Sequence, residues 1–177
     1  MFNVIYADAD DNIMLVFNGR IPVRSFGDEA MWGMMVPGDV SDTLWTEIHP
    51  YDDLPRVVNP ESGWVQNSNG VPWYMTEALL DPADYPAYFS AVEEVNFREQ
   101  RGIEMISGDA SMTVDEMIAY KYDTHAALAD RVLNELIAAA RESDSETANE
   151  AADVLADWDR AFDADSQGAL LFLQWYN

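Results

Sequence analysis

Two asparagines separated by a single residue, Asn67 and Asn69, stand at the end of the run Gly63-Trp64-Val65-Gln66-Asn67-Ser68-Asn69. Read as a short strand, the run alternates faces, which puts both amides on one side. A carboxamide N–H donates to developing negative charge without carrying a charge itself. At a strand end it suits the oxyanion hole of an acyl-transfer site. The other reading of the same residues is an Asn-rich turn, broken by Gly70 to Pro72. The remaining candidates are weaker. His49 lies in a proline-rich stretch and His125 within a helical pattern, and neither has a metal spacing such as H-E-x-x-H. Both read as structural histidines. Asp52-Asp53 and Glu93-Glu94 are sequence neighbours, whose side chains diverge, so they are poor acid–base pairs. Asp8-Ala9-Asp10-Asp11-Asn12 superficially suggests a calcium loop but lacks the central Gly and the distant Glu, and reads as a polar turn. There is no cysteine, hence no thiolate nucleophile or disulfide, and no G-x-S-x-G elbow or glycine-rich phosphate loop.

The elements that must position these residues follow from pattern. Phe2 to Asp8 and Ile13 to Asn18 predict the two strands of a hairpin. Gly19 to Pro60 has little periodicity and carries prolines 22, 37, 50 and 55 with Trp32, Trp45 and Tyr51. So long a connection predicts a loop packed over a larger scaffold. Helical spacing begins at about Asp84, with Val92, Val95, Ile103 and Ile106 interrupted by Gly102. The clearest helix starts at Thr113, where Thr113 and Glu116 form a capping box, and runs to about Arg141. Thr147 to Phe162 predicts another, with Ala151, Leu155, Trp158 and Phe162 on one stripe. A last apolar helix opens at Gly168.

The 177 residues include 33 acidic and 9 basic side chains, a formal net charge of −24. Such a chain cannot neutralise a phosphate backbone or dock on anionic lipid, which excludes generic nucleic-acid and membrane-surface binding. With 49% hydrophobic residues it can still bury a core. The charge is spread along the chain, as on a heavily solvated surface in a saline habitat; calcium binding by some carboxylates is the sharper alternative. No stretch is long and apolar enough to span a membrane, and the first residues lack the pattern of a signal peptide.

Asn59-Pro60-Glu61-Ser62-Gly63 through Asn67-Ser68-Asn69 resembles the N-P-x-x-G-x-x-x-N-x-N motif of the penicillin amidase family. The likeness extends from Tyr6-Ala7-Asp8 and Phe17-Asn18-Gly19-Arg20 through Val36-Pro37-Gly38-Asp39 and Tyr51-Asp52-Asp53-Leu54-Pro55. It continues to Ala152–Asp159 and Gly168–Phe172, and so covers nearly all of the chain. Its flavour is closest to the acyl-homoserine lactone and aculeacin acylases. The resemblance implies an α+β chain, part of a four-layer αββα N-terminal-nucleophile hydrolase fold, with strands early (1–70) and helices late (84–177). It implies an amide-bond hydrolase working through a Ser acyl-enzyme, which needs no cofactor, although some members hold a structural calcium. It assigns the oxyanion role to Asn69, with Asn67 supporting it and Arg98 organising the site, Arg101 being the runner-up.

The chain departs from the family by opening on Met1-Phe2, with no Ser, Thr or Cys at position 1. The nucleophile is therefore expected outside this chain. The resemblance then implies that residues 1–177 are a single partial domain, an internal piece of the beta chain incomplete at both ends and inactive alone. Its implied partners are an N-acyl amide substrate and the alpha chain of the same precursor, in a periplasmic or secreted protein. The competing expectation is a non-catalytic acidic binding or scaffold module derived from this fold, with calcium as its candidate ligand.

Overall fold

A computed structural model of the chain describes residues 2–177; position 1, where no nucleophile is found, lies outside them. The residues fall into two compact units, 1–110 and 111–177.

The first unit is built on an antiparallel sheet in the order β1 (Phe2–Ala7), β2 (Ile13–Asn18), β3 (Arg56–Val58). The expected hairpin is present, with Val4 opposite Val16 and Ala7 opposite Ile13. Its turn is fastened by Asp8, whose Oδ1 accepts from the backbone N–H groups of Asp10 (2.9 Å) and Asn12 (3.0 Å). These bonds favour the charged carboxylate, so the Asp8 pKa is lowered, chiefly by Asn12. Asp11 takes the left-handed conformation the turn needs (φ 62°). The central strand β2 is covered on both faces: Leu15, Val16 and Phe17 are all buried. Leu15 and Phe17 pack with Ile21, Leu54, Met75 and Phe89. The edge strand β1 is mostly exposed.

The long connection from β2 to β3 is irregular, as expected, but it is not without order. It holds the single-turn helix α1 (Glu29–Trp32), capped by Asp28, and two 3-10 turns. Arg24 stacks on Trp32, its guanidinium carbon 3.8 Å from the ring centroid. Asn59, at φ 45°, fastens the end of β3 to the hairpin turn. Its Oδ1 accepts from the Ile13 N–H (2.8 Å) and its Nδ2 donates to Asn12 Oδ1 (2.9 Å).

The expected strand over 63–69 does not form. Gln66 N–H donates to Met75 O (2.8 Å) and Gly63 N–H to Pro60 O (2.9 Å) within a turn, but no ladder follows; side chains of Ser62, Gln66 and Thr76 add further links. Helix also starts later than the spacing suggests, with α2 at Phe97–Ser107. Pro86 disfavours helix at Tyr85. Trp73 and Tyr74 take the carbonyls of Ala91 and Glu93 as side-chain acceptors, so that stretch is spent on loop contacts.

The second unit is helical: α3 (Val114–Lys121), α4 (Ala127–Arg141), α5 (Glu146–Ala156) and α6 (Gln167–Tyr176). The Thr113–Glu116 capping box is present at the start of α3. The single helix expected over 113–141 is broken at 122–126. There the chain turns aside to pair with 160–162: Ala126 N–H donates to Arg160 O (2.7 Å) and Phe162 N–H to Thr124 O (2.9 Å). His125 thus stands in a bridge to Ala161, not in a helix. For the same reason α5 ends before Trp158, which is buried and donates to Ala161 O (2.9 Å). Trp158 packs with Leu133, Leu155, Ala169 and Phe172. Gly168 lies against it so closely that a Cβ would overlap the indole.

Candidate active site

The tetrad Asn67-Ser68-Asn69-Gly70 is a turn in the first unit, gripped from two sides. Asn67 Oδ1 accepts the Asn69 backbone N–H at 2.9 Å, which curls the chain back on itself. Asn69 sits at φ 61°, a conformation that Asn tolerates better than most residues. The two amides therefore do not share a strand face. One shapes the turn and the other is carried at its tip.

Helix α2 supplies the first grip. Asn96 caps it, accepting the Glu99 N–H (2.9 Å) while the Glu99 carboxylate returns to the Asn96 N–H (3.3 Å). This box sets the first turn, from which Arg98 reaches the asparagines. Arg98 Nη2 donates to Ser68 O and, at 3.3 Å, to Asn69 Oδ1. A carboxamide whose oxygen is taken has its nitrogen at the opposite end of the group. Among the described residues Asn69 Nδ2 has no partner, and Asn69 is exposed. The arrangement thus holds out a neutral N–H donor of fixed polarity.

Glu99 fills the floor. It is buried, and a Cβ on Gly70 would overlap its carboxylate, so only glycine lets the turn settle there. Burial pushes the Glu99 pKa up, opposed by the hydrogen bond from the Asn96 backbone and by the charge of Arg98. The second grip is Asn3, whose Nδ2 donates to Asn67 Oδ1 (2.9 Å) and to Gly70 O (3.2 Å). The sequence reading passed over Asn3. Its one trace was a poor strand former inside Phe2–Ala7.

Of the expected site residues, the structure brings Asn67, Asn69 and Arg98 together. Arg101 pairs instead along its own helix with Glu104 (3.1 Å). Both His49 nitrogens are occupied, Nδ1 by Asp53 and Nε2 by Tyr88 (2.8 Å each), and its ring lies edge-on to Phe89. His125 contacts Asp130 (2.6 Å), which also pairs with Arg160 (2.6 Å). These contacts lower the Asp130 pKa, that from His125 most. Asp52 and Asp53 face different partners, Arg56 and His49. Among the described residues no three His, Asp or Glu side chains gather to hold a metal ion. A depression of about 850 Å³ beside Trp73, Tyr85 and Pro86 includes none of the Asn–Arg cluster.

The family model of penicillin amidase matches residues 1–177. The chain belongs to the penicillin amidase family. Its curated relatives in that family include the penicillin acylase 2 proenzyme of Pseudomonas sp. (strain SE83), 27% identical over 170 residues. That match takes in 94% of this chain and 20% of the relative. Penicillin G acylase of Escherichia coli is 34% identical over 85 residues, 48% of this chain and 9% of its own. The chain thus spans about a fifth or less of the curated penicillin amidases it matches. Among solved structures, thermostable penicillin G acylase from Alcaligenes faecalis superposes with a TM-score of 0.56 over 90% of this chain and 27% of its own, at 22% identity. The early sheet and late helices are therefore those of the penicillin acylase fold, an N-terminal-nucleophile hydrolase fold.

Proposed function

We propose that this chain is the part of an amide-bond hydrolase that supplies the side-chain donor of the oxyanion hole, Asn69. The observation that carries the reading is the bond from Arg98 to Asn69 Oδ1, which turns Nδ2 outward. In an acyl transfer, a serine nucleophile attacks the amide carbonyl and its oxygen gains a full negative charge. A donor already aimed at that oxygen stabilises the transition state more than the ground state. Loss of the amine leaves an acyl-enzyme, and water releases the acid through a second intermediate of the same charge. Asn69 serves both steps; Asn67 and Arg98 fix its position and polarity. Family membership supports the acylase class.

The nucleophile belongs to a part of the precursor outside these residues, as does the alpha chain that completes the site. The substrate is an N-acyl amide: a β-lactam, as the relatives' names indicate for them, or an acyl-homoserine lactone or lipopeptide, as the sequence resemblance suggests. The protein is an exported one. No helix among the described residues is long and apolar enough to cross a membrane.

The test is Asn69→Ala in the complete precursor, assayed on a panel of N-acyl amides. We expect kcat to fall by the equivalent of roughly 2.7–4 kcal/mol of transition-state stabilisation. An unchanged kcat removes Asn69 from the hole. A complete precursor that hydrolyses no amide, yet melts at a calcium-dependent temperature, supports the acidic scaffold in place of the enzyme.

A further inference from the structure

We propose that Asn3 is a positioning residue for the oxyanion donor: a strand side chain that, with Arg98, holds the Asn67–Gly70 turn in register. The inference rests on the reading of Asn69 given above. Three observations carry it. Asn3 Nδ2 uses both its hydrogens on this turn, one on Asn67 Oδ1 (2.9 Å) and one on Gly70 O (3.2 Å). Asn67 Oδ1 is the same atom that accepts the Asn69 N–H, so Asn3 acts on Asn69 through one shared oxygen. Finally, Asn3 Oδ1 is buried and has no hydrogen-bond partner among the described residues.

The third point bears on what Asn3 is for. Both atoms facing its amide, Asn67 Oδ1 and Gly70 O, are acceptors, so only the nitrogen end can meet them. That leaves the oxygen buried and unpaired, a state folded proteins mostly avoid. A residue selected for strand stability would be apolar or β-branched at this position. Asn is unfavourable on both counts, and its two donors are what it supplies. They are also mounted well. β1 is held in register by β2, with Asn3 opposite Phe17, whereas the turn itself has no ladder to hold it. Rigid support of a donor matters because a displacement of about 1 Å at the reacting atoms can cost on the order of a hundredfold in rate.

The experiment is a double-mutant cycle between Asn3→Ala and Asn69→Ala in the complete precursor, with kcat and KM measured separately. Asn3→Ala is expected to lower kcat roughly tenfold to a hundredfold with KM nearly unchanged. In the Asn69→Ala background the same change is expected to cost almost nothing, because the donor it positions is gone. The isosteric Asn3→Asp, which fills the space but presents acceptors to Asn67 Oδ1 and Gly70 O, is expected to be as impaired as Asn3→Ala. Equal losses in both backgrounds, or full activity of Asn3→Asp, overturn the positioning role while leaving the oxyanion assignment standing. A wild-type kcat for Asn69→Ala alone overturns both. If Asn3→Ala does not fold, Asn3→Asp carries the cycle in its place.

Discussion

The two units solve the same problem, fixing a chain in one conformation, by opposite means. In residues 111–177 apolar stripes do the work: Leu133, Leu155, Trp158 and Phe172 meet at regular helices, of which α5 and α6 are capped locally by Ser145 and Ser166. In residues 2–110 much of the chain is irregular, and buried hydrophobics are supplemented by side chains bonded to distant backbone or to one another. Asn59 ties β3 to the hairpin, Thr76 holds Trp64, and Arg98 and Asn3 hold the Asn67–Gly70 turn. The difference shows where chemistry can sit. A stripe of apolar contacts fixes helices without holding any polar group at a set orientation. A polar net can fix a turn and still hold one donor, Asn69 Nδ2, unused among the described residues. His49 is the counter-case within the same unit, since both its nitrogens are spent on structure.

This contrast can be broken most forcefully in the helical unit. Phe172→Ala is expected to cost about 3–5 kcal/mol of stability, seen as lost amide protection across α4–α6 in hydrogen exchange. Asn69→Gly, which suits the left-handed backbone, should instead leave the melting temperature nearly constant while kcat falls by the equivalent of about 2.7–4 kcal/mol. A large stability loss for Asn69→Gly would make the turn a structural element and erase the distinction between the units. Arg98→Met should remove a charge-assisted bond and lower kcat/KM by the equivalent of about 1.5–3 kcal/mol. A wild-type value would show that Asn69 keeps its orientation unaided. Thr113→Ala should cost about 1 kcal/mol, confined to α3, as circular dichroism of thermal unfolding would report.

The smallest effect concerns Glu99. Its pKa is raised by burial above its ordinary value of 4.5, so the fold prefers the neutral acid. The stability from that preference is fully present below the ordinary value and is lost as pH rises through the raised one. Glu99→Gln keeps the capping box and should raise the melting temperature at pH 7. The gain should vanish near pH 4. Asp130 runs the other way. Its pKa is lowered by His125 first and Arg160 second, so the stability it contributes is present above its ordinary value of 3.8 and fades as pH falls through the lowered one.

Several elements were legible in the sequence because their causes are local. The hairpin follows from two apolar runs around an Asp-rich turn, and the Thr113 cap from a four-residue pattern. α6 shows in a short apolar run, and the family in the spacing of Asn59, Pro60, Gly63, Asn67 and Asn69. The misjudged elements depend in good part on partners far along the chain. The break before α4 arises because 124–126 pair with 160–162, and no helical periodicity reports a bridge across some 35 residues. The strand expected at 63–69 fails because Asn67 turns its amide onto its own backbone while Arg98 and Asn3 pull on the same tetrad.

What the sequence by itself determined is the inventory: an acidic surface, no thiol chemistry, two amides at a set spacing, an arginine some thirty residues on, and the helices that apolar stripes require. Only the tertiary structure set Arg98 against Asn69 and Arg101 against Glu104, placed Glu99 beneath Gly70, brought Asn3 to Asn67 across 64 residues, and left one end of the Asn69 amide without a partner among the described residues. The physical reason is that residue type sets which bonds a side chain can make, whereas the choice of partner depends on which atoms the folded backbone carries within about 3 Å of it.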